Sequence, residues 1–187
     1  MLYRRRDYFL LSCRRSLYFA LVHPRIQYGI EIYGKATFKL LQPLHISCNR
    51  VLRTLQDQSR FCHVNLLYHN FRILPVDELY KFSVCKMIYK SLNYNGLMST
   101  AIRDIFKSLQ SNHFYHTRLS NTSYLYSSAN SVYFKSYVYD CVSVWNHIPI
   151  DIRNSQSLNL FSKQYKSFLS NTLQPKIYCK LSELYFL

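Results

Sequence analysis

The fold of this chain is decided by the stretch VDELYKFSVCKMIYKSL, which runs from Val76 to Leu92. Its apolar side chains recur every three or four residues, which is typical of an amphipathic helix packed on a core. Asp77 and Glu78 open the stretch and lysines lie near its end, which is the charge order that the helix dipole favours. The apolar stripe comprises Val76, Leu79, Tyr80, Val84, Met87 and Ile88.

Further helices are predicted on the N-terminal side of this stretch. The first shows apolar residues at helical spacing from Leu10 and is expected to end at His23-Pro24, because proline interrupts a helix. The second starts near Leu41 and tolerates a proline, Pro43, in its first turn. Its apolar stripe leaves one arginine pair together on the opposite face. That pair is Arg50 and Arg53.

Beyond residue 108 the helical periodicity dissolves into Ser, Asn, His and Tyr, which predicts an extended or loop-like linker over residues 109–131. The following segment, Val132 to Val144, fits a strand or a helix, and Ile148 to Ile152 resembles a turn. Ser157 is expected to cap a final helix. In that helix the apolar face is Leu158, Phe161, Tyr165, Phe168 and Leu169, and Lys163 and Lys166 point elsewhere.

These patterns predict a mainly α fold: a small helical bundle with an irregular Ser/Asn/Tyr-rich linker and a short C-terminal α or α+β segment. Four parts are expected along the chain. They are a helical basic module over residues 1–108, the linker over 109–131, a Trp-Asn-containing segment with the terminal helix over 132–172, and a tail over 173–187.

The charge balance points to a polyanionic partner. The chain carries 24 Lys and Arg against nine carboxylates, a formal net charge of +15. Each basic cluster alone could be a solvated face, but so few acids leave most cations without a partner. RNA or DNA fits better than a membrane, because no basic amphipathic segment carries the large apolar face that lipid insertion needs. The clusters are Arg4 to Arg6, Arg14 with Arg15, Arg50 with Arg53, and scattered lysines from Lys81 to Lys180.

Aromatic residues make up 17% of the chain. Rings interleaved with cations can stack on unpaired bases while the cations neutralise phosphates. Most of these rings are nevertheless expected in the core, because aromatic side chains dominate buried area. Trp145, with its apolar neighbours, is expected to be a core anchor.

The cysteine pattern indicates a reducing compartment. The six cysteines are widely scattered, and Arg14 and Arg15 interrupt the apolar segment from Tyr8 to Cys13 before it could form a secretory leader. We therefore expect reduced thiols in a cytoplasmic or nuclear protein that is not secreted. No stretch reaches the roughly eighteen apolar residues of a membrane span.

The sequence offers little for catalysis. Nucleotidyl transfer with two metal ions needs converging carboxylates, and the adjacent acids here, Asp77 and Glu78, open a helix, where Asp77 can pair with Lys81. None of the three glycines lies in a Gly-rich nucleotide motif. No catalytic residue, cofactor, metal or small-molecule substrate is therefore predicted.

A zinc or thiol enzyme stays open as a minor alternative. Cys62-His63 with His69, and His113 with His116, place possible ligands close together in the sequence. No Cys-x-x-Cys pair accompanies them, although structural zinc sites usually have one. Adjacent Cys62 and His63 are also poorly placed for a nucleophilic pair on a helix.

Several segments, in order, resemble the region downstream of the polymerase core in jockey-like non-LTR retrotransposon reverse transcriptases. Leu17 to Gly29, LYFALVHPRIQYG, is similar to the family's Leu-Tyr-x-x-Leu-Ile-x-Pro-x-Leu-x-Tyr-Gly pattern. Pro43 to Arg53 resembles its leucine- and arginine-bearing helix, and Leu66 to Leu79 follows. His113 to Arg118, HFYHTR, resembles its His-x-Tyr-x-Thr-Arg motif, and Val144 to Pro149, VWNHIP, resembles Leu-Trp-Asn-x-Leu-Pro.

The match departs from the family pattern at two places. Tyr33 stands where the family usually has Trp, and Cys141 with Val142 stands where it tends to have Gly-Pro. Such departures would suit a degenerate copy of a transposable element.

The resemblance implies a parent with an N-terminal endonuclease and RNA-directed DNA polymerase activity centred on Phe/Tyr-x-Asp-Asp, neither of which this chain contains. The chain is then expected to be a non-catalytic fragment that contacts RNA or DNA, and possible partners include the polymerase domain of a complete element. Residues expected to contact phosphates or bases are Arg50, Arg53, Tyr115, Arg118 and Lys163.

Two alternatives compete with nucleic-acid binding. Tyr115, Thr117 and Arg118 could instead tie the linker to the helical body by hydrogen bonds. The whole chain could also be an orphan interaction or relic domain, whose apolar faces once packed on the missing polymerase core.

Overall fold

The computed structural model describes residues 9–108 and 132–172, with side chains described for 9–107 and 137–172. All regular elements in these ranges are helical, which confirms the prediction of a mainly α fold. The predicted linker and tail lie outside the described residues. The helices are α1 Leu11–Leu17, α2 His23–Gln27, α3 Ile30–Tyr33, α4 Phe38–Leu55, α5 Val64–Phe71, α6 Val76–Asn93, α7 Thr100–Ser108, α8 Val132–Asn146, α9 Ile150–Arg153 and α10 Leu158–Thr172.

Helix α6 is the centre of the fold and spans the stretch predicted to decide it. It packs against α3, α7, α8 and α10, so its buried surface is wider than a single stripe and includes Cys85 and Tyr89.

The prediction that Asp77 pairs with Lys81 is wrong. Lys81 Nζ lies 2.8 Å from Glu78 Oε1 instead, and Asp77 Oδ1 lies 3.3 Å from His45 Nε2 on α4.

The N-terminal helical run does not end at His23-Pro24, as predicted, but continues to Gln27. A π-helical turn, Tyr18–Val22, lies directly before α2, and the His23 N–H bonds the Tyr18 carbonyl five residues back. Such a turn widens the helix where Pro24 lacks an N–H and where its ring would crowd the preceding turn. The run ends when Gly29 takes a positive φ of 66° and turns the chain into α3.

Helix α4 starts at Phe38, earlier than the predicted Leu41. Pro43 therefore lies inside the helix and not in its first turn, which corrects the prediction. The Lys39 carbonyl loses its usual donor there, but Lys39 and Pro43 are both exposed, so water can reach that carbonyl. The predicted apolar face is buried at Leu41, Cys48, Leu52 and Leu55.

The main core is built from α6 together with residues of α2, α3, α8 and α10. Trp145 is fully buried in it, which confirms its predicted role as an anchor. The Phe161 ring lies 4.4 Å from Tyr89 and 6.0 Å from Trp145, measured between centroids. Residues on both sides of 109–131 therefore share one core.

A second core cluster joins the π-helical turn to α4 and α5. Helix α5 was not predicted, because its eight residues are too short for a clear period. It ends at Phe71, and the next residue, Arg72, caps it with a positive φ of 54°. The cluster comprises Tyr18, Leu52, Leu55, Leu67, Tyr68, Phe71 and Ile73.

All regular elements within residues 132–172 are helices. Val132–Asn146 forms a helix and not a strand, the two structures that the sequence left open. The turn expected over Ile148 to Ile152 overlaps the short helix α9, which ends at Arg153. The predicted cap is confirmed, since the Leu160 N–H donates to Ser157 Oγ at 3.2 Å.

Truncating the core anchor should destabilise the fold strongly. We expect Trp145→Ala to lower the free energy of unfolding by roughly 4 kcal/mol, because it leaves a cavity the size of an indole. Urea denaturation followed by circular dichroism measures this loss. Tyr139, exposed on the same helix, gives the matched control: Tyr139→Ala should cost less than about 1 kcal/mol. Equal losses in both variants would contradict this core.

Candidate nucleic-acid interface

The predicted contact residues fall on two cavities. Arg50 and Arg53, near the end of α4, line one of them, and Lys163 on α10 lines the other. Arg50 and Lys163 are exposed, and Arg53 is half-buried. Tyr115 and Arg118 lie outside the described residues.

The cavity beside α10, here called the lysine groove, has a volume of about 450 Å³. Its walls come from α1, from the end of α5 with the residues after it, and from α10. No carboxylate of the described residues lines it. Its lining residues are Arg15, Tyr68, His69, Arg72, Ile73, Lys163, Lys166, Ser167 and Ser170.

Arg15 is fixed in the groove by contacts on two sides. Its Nε donates to the Phe71 carbonyl at 2.9 Å, at the C-terminal end of α5, where the helix dipole favours a cation. Its guanidinium carbon lies 5.2 Å from the centroid of the Phe19 ring. The Arg15 charge is therefore held in place before any ligand arrives.

Lys166 brings a second cation to the same ring, with Nζ 5.9 Å from the centroid of Phe19. Burial lowers the pKa of Lys166, and the Arg15 charge lowers it further. Burial, followed by the charge of Lys166, lowers the pKa of His23. Burial is the larger cause of both shifts, and the neighbouring positive charge adds to it, so an anion in the groove would favour the charged form of Lys166.

The cavity beside α4, here called the arginine cavity, is wider, at about 1040 Å³. Arg53 is tied to its wall, since Nε and Nη2 donate to the Cys62 carbonyl at 3.4 and 3.3 Å. One carboxylate, Asp57, lines this cavity beside three arginines. The lining residues are Ile46, Asn49, Arg50, Arg53, Thr54, Asp57, Gln58, Ser59, Arg60 and Phe61.

The linings of the two cavities touch at one side-chain hydrogen bond. Tyr68 lines the lysine groove, and its hydroxyl donates to Asn49 Oδ1 at 3.0 Å, while Asn49 lines the arginine cavity. The two cationic cavities are therefore linked through this pair of side chains.

Three further carboxylates are paired with cations that line neither cavity. Asp140 Oδ2 lies 2.5 Å from Lys35 Nζ, and Asp104 Oδ1 lies 3.7 Å from Arg103 Nε. Glu78 pairs with Lys81, as described above. Because these three acids pair with other cations, they do not neutralise the positive charges that line the two cavities.

The described residues offer little to support metal or thiol chemistry. Among residues 9–107 and 137–172, no three His, Cys, Asp or Glu side chains group closely enough to hold a metal ion. Cys62 Sγ contacts the backbone carbonyl of His63 at 3.7 Å, not its imidazole. Burial raises the pKa of Cys141 to about 12, so this thiol stays protonated at neutral pH. His113 and His116 lie outside the described residues.

No helix in the described parts of the chain has the length and apolar character needed to cross a membrane.

Sequence reasoning found Lys163 but missed its neighbours in the groove. Arg15, Arg72 and Lys166 come from three separate parts of the chain. Their convergence depends on how α1, α5 and α10 pack, and no local pattern carries that information. The sequence marked Arg15 as part of a basic pair with Arg14, but it gave no sign that this pair meets α10.

The chain matches no protein-family model, no curated protein and no solved structure with which it was compared.

The repulsion between Arg15 and Lys166 can be tested directly. We expect Arg15→Gln to raise the pKa of Lys166, because it removes a neighbouring positive charge. A pH titration of the lysine side-chain carbons by NMR measures the pKa. Arg60→Gln, which removes a cation from the other cavity, is the matched control and should leave that pKa nearly unchanged. An unchanged pKa in Arg15→Gln would contradict the groove geometry.

Proposed function

We propose that this chain is a non-catalytic module that binds RNA or DNA through phosphate contacts with little sequence readout. The observation that supports it best is the lysine groove. Arg15, Arg72, Lys163 and Lys166 converge there from distant parts of the chain, and no carboxylate of the described residues lines the groove. Phosphates fit such a site because each contact releases condensed counterions from the nucleic acid.

The neighbouring arginine cavity extends this surface. Arg50 and Arg53, expected from the sequence to contact phosphate, line it together with Arg60. Guanidinium groups suit phosphate because their planar donors can bond two oxygens at once. The two cavities give one strand several successive contacts.

We further propose that the chain derives from the C-terminal region of a jockey-like non-LTR retrotransposon reverse transcriptase. The support is the order of the sequence motifs from Leu17 to Pro149. A parent RNA-directed DNA polymerase, and contact with the polymerase domain of a complete element, belong to this proposal. A cytoplasmic or nuclear location also belongs to it. This location agrees with the free thiols of five cysteines, because a reducing compartment keeps thiols from forming disulfides. They are Cys13, Cys48, Cys62, Cys85 and Cys141.

A second candidate function is that of a docking domain for a missing partner. Large apolar side chains are exposed in three neighbouring places along the chain: just after α2, on α3 and at the start of α4. Tyr28 is 87% exposed, Ile32 83% and Phe38 69%. Exposed apolar surface of this kind favours association or poor solubility. Predominant aggregation without nucleic-acid binding would support this candidate.

A salt series tests the proposed function. Fluorescence anisotropy of a labelled single-stranded RNA and of a duplex DNA gives affinity at each salt concentration. We expect the logarithm of affinity to fall linearly with the logarithm of salt. The double variant Lys163→Gln with Arg72→Gln should weaken binding and reduce the slope for the single strand by about 1.4, or about 0.7 per lost phosphate contact.

The matched control removes the same charge elsewhere. Lys39 and Lys107 line neither cavity, so Lys39→Gln with Lys107→Gln should change the slope much less. Affinity that does not depend on salt would overturn the proposal. Equal losses in both double variants would show that net charge, and not the groove, governs binding.

A further inference from the structure

Phe61 is the most exposed large hydrophobic side chain in the described residues, at 92%. It lies between α4 and α5. Exposed apolar residues are ordinary when they stand alone. The surroundings of Phe61 are not ordinary, because it lines the arginine cavity together with Arg50, Arg53 and Arg60. An aromatic ring is therefore presented among cations.

The backbone under Phe61 is held on both sides. Its own N–H donates to Ser59 Oγ at 3.3 Å, and the next N–H, of Cys62, donates to the Ser59 carbonyl at 3.2 Å. The Cys62 carbonyl in turn accepts from the Arg53 guanidinium. The ring thus projects from a fixed turn, which lowers the entropy lost when a ligand covers it.

The cavity next to the ring carries the groups that an unpaired nucleotide needs. Guanidinium groups can bond its phosphate, and the amides of Asn49 and Gln58 can bond a base edge or a sugar. Asp57 adds one carboxylate against three arginines, so the cavity remains cationic overall. Across Tyr68, the lysine groove can hold a further phosphate of the same strand.

We infer that Phe61 is a stacking platform for an unpaired base, and that the chain therefore prefers single-stranded nucleic acid to duplex. This inference rests on the proposed function and specifies its substrate class. Base faces in a duplex are covered by their neighbours, so the ring can stack only on a base that is free. Stacking on an aromatic side chain tolerates any base, which agrees with binding of low sequence specificity.

The test compares Phe61→Ala with the unaltered chain on a single strand of about twelve nucleotides and on the duplex of the same sequence. We expect the variant to bind the single strand about tenfold more weakly and the duplex with nearly unchanged affinity. The salt dependence should stay the same, because no charge is removed. Phe38→Ala, at another exposed aromatic residue, is the matched control and should bind both probes normally.

Phe61→Trp supplies an independent readout. We expect it to keep affinity for the single strand, because indole also stacks on bases. Its fluorescence should be quenched when the strand binds. Trp145, the one native tryptophan, is fully buried and should contribute a constant background.

The outcomes separate the two levels of the proposal. If the unaltered chain binds both probes and Phe61→Ala weakens neither, or weakens both equally, the stacking platform is wrong and phosphate binding stands. If the unaltered chain binds neither probe, both the platform and the proposed function are overturned.

Discussion

The stacking of Phe161 on Tyr89, with 4.4 Å between ring centroids, is the contact on which the rest of this structure depends. It joins α10 to the central helix α6. The start of α10 is fixed by further contacts: Tyr89 donates its hydroxyl hydrogen to the Ser155 carbonyl, and the Leu158 N–H donates to the Tyr94 hydroxyl at 3.1 Å. Because Phe161 faces the core, Lys163, two residues later, lies on the other side of the helix. The core thereby places the lysines of α10 opposite α1 and α5.

The groove that results holds two cationic side chains close to one aromatic ring. Arg15 and Lys166 approach the same Phe19 ring, and the lowered pKa of Lys166 records the cost of holding a charge there. Contact with the ring offsets part of this cost, since cations are attracted to aromatic faces. An anion would offset more, and its binding and the protonation of Lys166 would each favour the other. Groups that oppose folding in this way are common at functional sites.

Periodicity and local capping made much of the fold predictable. The central helix, the buried Trp145 and the Ser157 cap all follow from patterns within one turn or one face of a helix. Such local patterns did not predict two features: the π-helical turn before Pro24 and the continuation of α4 through Pro43. In both, packing of the surrounding helix outweighs the local cost of proline.

The residues of the candidate site could be predicted only where neighbouring residues lie on the same helix. Arg50 and Arg53 are three residues apart on one helix, so their proximity could be inferred from spacing. The partners of Lys163 could not, because they come from α1 and from the residues after α5. Phe61 gave no signal either, because a single apolar residue in a short connection can be exposed without any role in binding.

Mapping the bound strand on the folded chain tests the central claim most directly. Amide NMR spectra, recorded while a short single-stranded RNA is added, report which residues meet it. If the two cavities form the binding surface, chemical-shift changes should concentrate in residues 49–72 and 163–170, with few in α7 and α8. Changes centred on α7 and α8, or none while the chain remains folded, would contradict a nucleic-acid interface at the lysine groove and the arginine cavity.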